Sequence, residues 1–474
     1  MTPVVTPDEM RAIDAGAPEP LEVLIARAGG AVYRAALRML GGTYGKRVNV
    51  IAGHGNNGAD GHDAARRLRA RGVRVEVFDA RSCPEALPLA DLVIDAAYGT
   101  GYRVESVRPW VAPVVGDAAV LAVDIPSGVD ALTGAAVPGV LGADRTVTFQ
   151  ALKPGLLFGD GARLAGDVEV VDIGLHTDHI RCHRVERSDV EAWWPRRAVD
   201  AHKWRSAVKV IAGSIGMPGA AELCTAAAAR GGSGLVALAS PGCRPNTRSE
   251  VVQHEIPAGG FSQEVLADIG RFGALVIGPG LGRNDDTLTA ARECIGEAAV
   301  PIVVDGDALF AAAWSADGAG RLLRSRTLPT VLTPHDGEFG LLTGGRPGED
   351  RIAAARAAAD DFGATVLLKG PTTIVASPSA SQLEADGYET LGWTADRTAG
   401  TWLVDHGDER LATAGSGDVL AGLIGAALAT GMQPDRAAAS AAWLHAEAAR
   451  LGPTTGLLAG DLLDLIAPAI GALR

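Results

Sequence analysis

The chain has 474 residues, with 43 Lys and Arg against 56 Asp and Glu, so its formal net charge is −13. Nucleic acids and anionic membranes repel an acidic chain at long range, and we expect it to bind neither. Because 47% of the residues are hydrophobic, intrinsic disorder is excluded for most of the chain. No apolar run reaches the ~18–20 residues of a membrane-spanning helix. These features predict a cytoplasmic protein, and the length predicts two or three domains rather than one.

Short apolar runs rich in Val and Ile alternate with Ala-rich helical stretches along the whole chain. In the first half we predict helices at 7–40 and 59–71 and strands at 46–53, 73–80, 91–99, 119–128 and 145–150. In the second half the predicted strands are 207–213, 234–240, 274–280, 301–307, 330–335, 365–370 and 372–377. Such runs are typical of parallel strands that helices cover on both faces. The sequence therefore predicts an α/β fold.

Two segments interrupt this alternation. Residues 176–206 are charged and rich in His and Trp, which favours a join between two α/β units. Residues 377–400 are rich in Ser, Ala, Asp, Gly and Thr and predict an exposed loop. We place the domains at 1–200 and 201–474. Ligands of open parallel sheets bind beyond the carboxyl ends of the strands, and polar residues follow the strands in both halves. Two separate active sites are therefore expected.

The first candidate site follows the strand at 46–53. Gly53, Gly55 and Gly58 have the spacing of a dinucleotide-binding turn, which would indicate a nicotinamide-dependent oxidoreductase. Glycines also serve tight turns for purely structural reasons, so this match is weak. The adjacent amides Asn56 and Asn57 add side-chain oxygens, which suit a polar ligand or a hard monovalent cation.

Two later strand ends support a polar site. Asp95 ends one strand and is followed by the loop Gly99, Thr100 and Gly101, while Asp124 ends the next strand. Each Asp by itself is more often a helix cap or a turn residue. In combination with the asparagine-rich loop, a shared binding site is the favoured interpretation.

The motifs GHGNNGADG, DAAYGTG and VDIPSGVD, in this order, resemble the NAD(P)H-hydrate epimerase domain over about residues 7–175. The resemblance implies that the hydrated nucleotide is held by Asn56, Asn57, Gly58, Ala59, Asp60, Gly99, Thr100, Gly101 and Asp124. It further implies that Asp124 is the candidate acid/base and that K⁺ is bound by Asn57, Asp95 and Ser127. Ala59 departs from the usual glycine, so epimerase activity would be weakened if that position requires a positive φ or a close backbone approach to a phosphate.

The second candidate site lies near the C-terminus, in the segment TAGSGDVLAG at 413–422. An apolar helical stripe follows Asp418, so the glycines precede a helix N-terminus, where free N–H groups attract anions. A carboxylate in the first turn can accept a proton from a hydroxyl that is being phosphorylated. Asp418 could instead be a simple helix cap. Because glycines flank Ser416, the catalytic interpretation is favoured.

Other strand ends in the second half carry glycine-rich or polar loops at 278–282, 305–307, 333–338 and 369–373. Each loop could be a simple turn, but such loops at successive strand ends favour a binding site. With the motifs GMPGAA, GPGLG, DGDAL, TPHDGEF, KGPTT and AGSGDVLAG, the chain resembles the ADP/ATP-dependent NAD(P)H-hydrate dehydratase domain over about 200–474. That domain has a ribokinase-like fold, whereas the first domain is expected to be a Rossmann-like three-layer unit.

The second resemblance also implies residue roles. Ala220, Gly280, His335 and Asp418 would contact the hydrate, with Asp418 as the base. The nucleotide would be held by Lys369, Gly370, Pro371, Thr372, Thr373, Gly415, Ser416 and Gly417, the last three forming an anion hole. ADP or ATP would be the co-substrate, and Mg²⁺ would arrive with its phosphates.

The favoured hypothesis is a fused repair enzyme that epimerises the R and S hydrates of NADH and NADPH and dehydrates the S form. A small-molecule kinase with an N-terminal binding domain is a second hypothesis. A third is a dehydratase whose N-terminal unit only senses or tethers nucleotides. We also expect a homo-oligomer.

Overall fold

The computed structural model describes residues 1–103, 110–379 and 400–473. The chain forms two compact units, Thr2–Cys182 and His183–Arg474, and Met1 belongs to the second. The domain boundary predicted from the sequence is at residue 200. The intervening segment packs with the second unit, because Val190 and Trp194 belong to its hydrophobic core.

The first unit is built on a parallel sheet with the strand order β3-β2-β4-β5-β6-β7. The strands of this unit, in chain order, are β1 (Thr2–Pro3), β2 (Arg47–Ala52), β3 (Arg74–Asp79), β4 (Leu92–Ala96), β5 (Ala119–Val123), β6 (Arg145–Phe149) and β7 (Asp167–Val171). Strands β2 to β7 form the sheet. Its helices are α1 (Pro7–Ala15), α2 (Leu21–Leu40), α3 (Asn56–Ala70) and α4 (Gly159–Leu164).

Both faces of this sheet are buried. Val50 and Ile94 pack into one core cluster, whereas their chain neighbours Ile51 and Val93 pack into another. Successive side chains of a strand point to opposite faces, so the continuous apolar runs have the covered environment that they predicted.

Both predicted helices of the first unit differ in their bounds. The segment 7–40 forms two helices, because Gly16 ends α1 and Pro20 precedes α2. Proline lacks the N–H that a continuous helix would need. Helix α3 begins at Asn56 rather than at residue 59, with Gly55 as its N-cap in an extended conformation.

The second unit contains a larger sheet with the order β8-β17-β16-β15-β14-β13-β12-β9-β10-β11. Neighbours from β11 to β15 are parallel, whereas β15-β16 and β16-β17 are antiparallel. The strands are β8 (Cys182–Arg184), β9 (Ala207–Ile211), β10 (Leu235–Pro241), β11 (Val251–Ile256), β12 (Ala274–Ile277), β13 (Ile302–Val304), β14 (Thr330–Leu332), β15 (Thr365–Leu368), β16 (Thr373–Ala376) and β17 (Thr401–Val404).

The helices of this unit surround its sheet. They are α5 (Arg187–Trp193), α6 (Pro218–Arg230), α7 (Ser262–Leu266), α8 (Asp285–Glu297), α9 (Asp307–Ala313), α10 (Ala319–Arg324), α11 (Asp336–Thr343), α12 (Arg351–Phe362), α13 (Ser416–Leu428), α14 (Pro434–Leu451) and α15 (Ala459–Gly471). None of the helices in the described ranges combines the length and apolar character needed to cross a membrane.

Helix α13 lies unusually close to its neighbours because two of its residues are glycines. A Cβ on Gly422 would lie 2.2 Å from the carbonyl oxygen of Cys224 in α6. A Cβ on Gly425 would lie 2.3 Å from Cγ2 of Val276 in β12. This packing fixes the helix, and with it the first turn that carries Asp418, against the sheet.

Several strands were not predicted from the sequence. β7 and β11 are partly exposed and contain polar residues, so they lack a continuous apolar run. β8 and β17 have only three and four residues. The loop predicted at 377–400 falls almost entirely outside the described residues.

Candidate active sites

The first site is a cavity of about 630 Å³ at the carboxyl ends of β2, β4, β5 and β6. These strand ends bring together side chains that are far apart in the sequence. Among the lining residues are Asn57, Thr100, Asp124 and Lys153. The parallel sheet thus places its polar strand ends in one cavity, as the sequence predicted.

The asparagine-rich segment is the first turn of α3 rather than a loop. Gly58 is required there, because its Cβ would lie 1.9 Å from the carbonyl oxygen of Gly53. The Ala59 N–H donates to the Gly55 carbonyl at 3.1 Å. Ala59 therefore has a helical backbone, and the positive φ that would have penalised an alanine is not needed.

Asp124 occupies a strained and tightly bonded position. It is one of two non-glycine residues with positive φ in the described ranges, at 69°. Its Oδ2 accepts hydrogen bonds from the Thr100 N–H at 2.9 Å and from the Thr100 hydroxyl at 2.5 Å. Its Oδ1 lies 2.7 Å from Nζ of Lys153. Burial pushes the pKa of Asp124 upward, but the Lys153 charge and these hydrogen bonds outweigh it and hold the pKa below its ordinary value.

Sequence reasoning missed Lys153. Its side chain is 1% exposed, although it follows the end of β6 by only four residues. The signal was a single lysine between Leu152 and Pro154 in an otherwise apolar segment at a strand end. A buried cation of this kind requires a carboxylate partner, and the fold supplies Asp124.

The same cavity contains a second carboxyl group with a different protonation state. Asp60 is 6% exposed. Burial, followed by the charges of Asp124, Asp63 and Asp14, raises its pKa to about 8. Asp60 therefore keeps its proton at neutral pH, whereas Asp124 is ionised.

Two of the three proposed cation ligands, Asp95 and Ser127, are hydrogen-bonded to each other. Ser127 donates its hydroxyl to Oδ1 of Asp95 at 2.6 Å and its N–H to Oδ2 at 2.9 Å. Asp95 is fully buried, and burial raises its pKa against the effect of these bonds. Both side-chain polar atoms of Asn57 are buried without a hydrogen-bond partner in the part of the chain that the structure describes. Unsatisfied buried amide atoms are costly, so Asn57 is suited to a bound ligand.

The second site is organised around the first turn of α13. Gly415 is the N-cap with φ of 88°, a left-handed conformation that favours glycine. Asp418 lies in the first turn. The Ser416 hydroxyl donates to the Leu411 carbonyl at 2.8 Å, so it fixes the loop. Anion binding here depends on the backbone N–H groups of the helix terminus.

Lys369 meets this turn from the end of β15. Its Nζ lies 2.7 Å from Oδ1 of Asp305 and would lie 3.3 Å from a Cβ on Gly417. The Thr333 hydroxyl donates to the same Asp305 oxygen at 2.6 Å. Burial pushes the pKa of Lys369 down, but the charges of Asp305 and Glu338 raise it above its ordinary value. Lys369 is therefore a fixed ammonium group beside the glycine turn.

The electrostatics of Asp418 suit a general base. Burial, with the charge of Asp305, raises its pKa to about 7, against the opposing charge of Lys369. A base is most effective when its pKa lies near the working pH. A helix cap exposed to solvent would have no such shift, and this favours the catalytic interpretation.

The structure also brings together two of the predicted hydrate ligands. Gly280 has φ of 57°, and a Cβ on it would lie 2.7 Å from Cβ of Ala220. A Cβ on Gly415 would lie 2.5 Å from Cδ1 of Leu223, which is on the same helix as Ala220. Helix α6 therefore contacts both the Gly280 loop and the glycine turn.

His335 has a structural role that the sequence did not predict. Its Nδ1 accepts hydrogen bonds from the N–H groups of Gly337 at 3.0 Å and Glu338 at 3.3 Å, so it is the N-cap of α11. The imidazole is 61% exposed, and its Nε2 lies 3.6 Å from Oε2 of Glu338. Contact with the hydrate stays a prediction.

The remaining predicted nucleotide ligands follow Lys369. Gly370 and Pro371 are exposed, whereas Thr372 is buried and Thr373 begins β16. A Cβ on Gly370 would lie 3.1 Å from Nη2 of Arg351. These positions form a turn beside Lys369, and their contact with a nucleotide stays a prediction.

Sequence reasoning missed two further groups near this site. Glu338 is partly buried, and the charge of Lys369 opposes the burial that raises its pKa. His445, on α14, is 6% exposed and its Nε2 has no hydrogen-bond partner in the described residues. Burial, with the charge of Lys369, lowers its pKa to about 4, although the Ser416 backbone opposes this. A histidine within an alanine-rich helix was the available signal.

Two α/β units, each with titratable groups at the carboxyl edge of a parallel sheet, define an enzyme with two separate sites. Comparison with known proteins agrees with this class. The profile described as NAD(P)H-hydrate dehydratase matches residues 208–470, and the profile described as YjeF-related protein N-terminus matches 21–88 and 79–155.

The relatives place the chain in one family. It is 37% identical over 440 residues to a bifunctional NAD(P)H-hydrate repair enzyme of Mycobacterium leprae, covering 87% of this chain and 84% of the relative. It is 35% identical over 482 residues to one of Moorella thermoacetica, covering 89% and 87%. A ribokinase-like protein of Enterococcus faecalis shares the fold, with a TM-score of 0.51 at 18% identity, covering 64% of this chain and 99% of that structure. The chain belongs to the family of bifunctional NAD(P)H-hydrate repair enzymes.

Proposed function

We propose that this chain repairs hydrated NADH and NADPH in two steps. The unit Thr2–Cys182 epimerises the R and S hydrates, and the unit His183–Arg474 dehydrates the S hydrate with ADP or ATP. The observation that carries the proposal is a carboxyl group of pKa about 7, Asp418, in the first turn of a glycine-led helix beside Lys369.

For the dehydratase, Asp418 takes the proton of the ring hydroxyl while that oxygen receives a phosphoryl group from the nucleotide. The N–H groups at Gly415–Gly417 bind the transferred phosphoryl oxygens, and Lys369 neutralises charge beside them. Phosphate then leaves with its oxygen, and loss of a ring proton restores the dihydronicotinamide. Ala220, Gly280 and His335 are proposed to hold the hydrate.

For the epimerase, the cavity offers an ionised and a protonated carboxyl group, Asp124 and Asp60. Inversion at a carbon that bears a hydroxyl requires the leaving oxygen to be protonated and the incoming water to lose a proton. We assign proton acceptance to Asp124. The buried amide of Asn57 binds the nucleotide hydrate or its cation.

We propose that K⁺ binds beside Asp95. In the described ranges no group of three or more His, Cys, Asp or Glu side chains could hold a metal ion, so this site depends on Asn57 and Ser127 oxygens with one carboxylate. When bound, the cation compensates the charge of the fully buried Asp95, whose pKa burial otherwise raises. In the second unit, Mg²⁺ would accompany the nucleotide phosphates near Lys369.

The deciding experiment supplies the purified protein with separate S and R hydrates, Mg²⁺ and ADP or ATP, and follows the reduced-nicotinamide absorbance. Recovery from both epimers is expected. A stable phosphorylated product without that absorbance would instead support a small-molecule kinase. Recovery from the S hydrate alone would support a first unit that only senses or tethers nucleotides. The homo-oligomer stays a prediction.

A further inference from the structure

Lys153 lines the cavity of the first site, but the epimerase steps proposed above give it no role. Its ammonium group has three acceptors: Oδ1 of Asp124 at 2.7 Å, the Thr148 hydroxyl at 2.9 Å and the Phe149 carbonyl at 3.1 Å. An ammonium group has three donors. Lys153 is therefore saturated by the protein and has no donor left for a ligand.

The two oxygens of Asp124 have different surroundings. Oδ1 contacts Lys153 and also accepts the Thr148 hydroxyl at 3.2 Å, and both of these residues are almost fully buried. Among the described residues, Oδ2 accepts hydrogen bonds only from the N–H and hydroxyl of Thr100, which belongs to the loop that lines the cavity. One oxygen is thus anchored inside the protein, while the other lies where a ligand hydroxyl could replace that of Thr100.

A purely stabilising ion pair is the competing interpretation. Buried ion pairs contribute little net stability relative to a well-packed apolar pair, so stability alone is a weak reason for one. The positive φ of Asp124 adds a cost of its own. The buried ion pair and the positive φ each cost free energy, and both occur at the wall of a ligand cavity. The pair is better explained by the orientation that it gives the Asp124 carboxylate.

We propose that Lys153, together with Thr148, is a positioning residue of the epimerase, which anchors Oδ1 of Asp124 so that Oδ2 alone faces the substrate hydroxyl. Thr100 occupies that oxygen in the free protein, and the substrate hydroxyl takes its place. The proposal rests on the epimerase function proposed above.

The test measures conversion of the R hydrate into the S hydrate by chromatography, without nucleotide, so that the dehydratase is silent. Lys153→Met keeps an unbranched side chain, shorter by its terminal nitrogen, and removes the charge. We expect kcat to fall about 100-fold, because a displaced catalytic group costs that much, with KM within about threefold. Lys46→Met is the matched control, since Lys46 pairs with Asp91 at 3.0 Å on the surface, and it should leave both constants unchanged.

A kcat of Lys153→Met within about threefold of the wild type, or a change in KM alone, would overturn the positioning role. If Lys153→Met does not fold, as judged by its thermal unfolding, Thr148→Val decides. It keeps the ammonium group and removes one contact to Oδ1, so kcat should fall about tenfold, the effect of one lost hydrogen bond. An unchanged kcat would refute the proposal. A wild type that converts no R hydrate would overturn the epimerase function as well.

Discussion

The pKa of Asp418 gives the most direct test of the second site. As a general base, Asp418 is active only when ionised, so kcat/KM for dehydration of the S hydrate should follow its ionisation. With a pKa of about 7, about half of the molecules are active at pH 7. One pH unit lower the ionised fraction is about a tenth, so kcat/KM should fall about fivefold from pH 7 to pH 6 and about tenfold for each further unit.

The fall of kcat/KM at low pH is the acidic limb of the pH profile, and its position depends on the charges beside Asp418. Asp305 contributes to the raised pKa through its negative charge, so Asp305→Asn should move the limb to lower pH. Asp317→Asn is the control, because Asp317 is exposed and pairs with Arg321 at 3.3 Å. The assay is the initial rate of nicotinamide absorbance at limiting S hydrate from about pH 5 to 8.5, with nucleotide and Mg²⁺ saturating.

A profile without a limb above about pH 5, where an ordinary aspartate is already ionised, would refute the assignment of Asp418 as the base. A limb near pH 7 that did not move in Asp305→Asn would refute the electrostatic explanation but keep the base.

Four further predictions follow from the two sites and their packing. Asp124→Asn should abolish use of the R hydrate and leave S-hydrate dehydration within about twofold, measured in the two-epimer assay. Asn57→Ala should raise the K⁺ concentration for half-maximal R-hydrate conversion about tenfold, without affecting dehydration, because one cation ligand is lost. Gly422→Ala should destabilise the protein by about 1–3 kcal/mol in denaturant unfolding, because its Cβ meets a backbone carbonyl, whereas Gly460→Ala, in open space, should not. Asp418→Asn should raise the Tm at pH 8, because it removes a buried charge. The raised pKa of Asp418 means that the protonated carboxyl stabilises the fold fully below about pH 4, and this contribution is lost as the pH rises through about 7.

The architecture of both units could be predicted because their strands are buried on both faces. The run from Ala207 to Ile211 is apolar apart from Lys209 and forms a central strand in the structure. Edge strands such as Val251–Ile256 carry polar residues on an exposed face, so periodicity did not separate them from loops. The family predicted from the motifs is confirmed by the relatives over both units.

The site residues were predictable where they occur in contiguous motifs at strand ends. Asp124 and Asp418 are of this kind, and the structure places each at the carboxyl edge of a sheet. Lys153 and His445 are different, because the charged neighbours of each are brought close only by the fold. Their protonation depends on burial and on charges from other elements, and a sequence without an alignment does not contain this information.

The close approach of α13 to the sheet has a consequence for redesign of the second site. Without room for a methyl group at Gly422 or Gly425, the helix can neither slide nor rotate, and the reactive oxygen of its first turn stays where the backbone puts it. Acceptance of a differently shaped acceptor molecule would therefore have to come from changes in the connections at 212–220 and 278–282, while the proton acceptor remains in place.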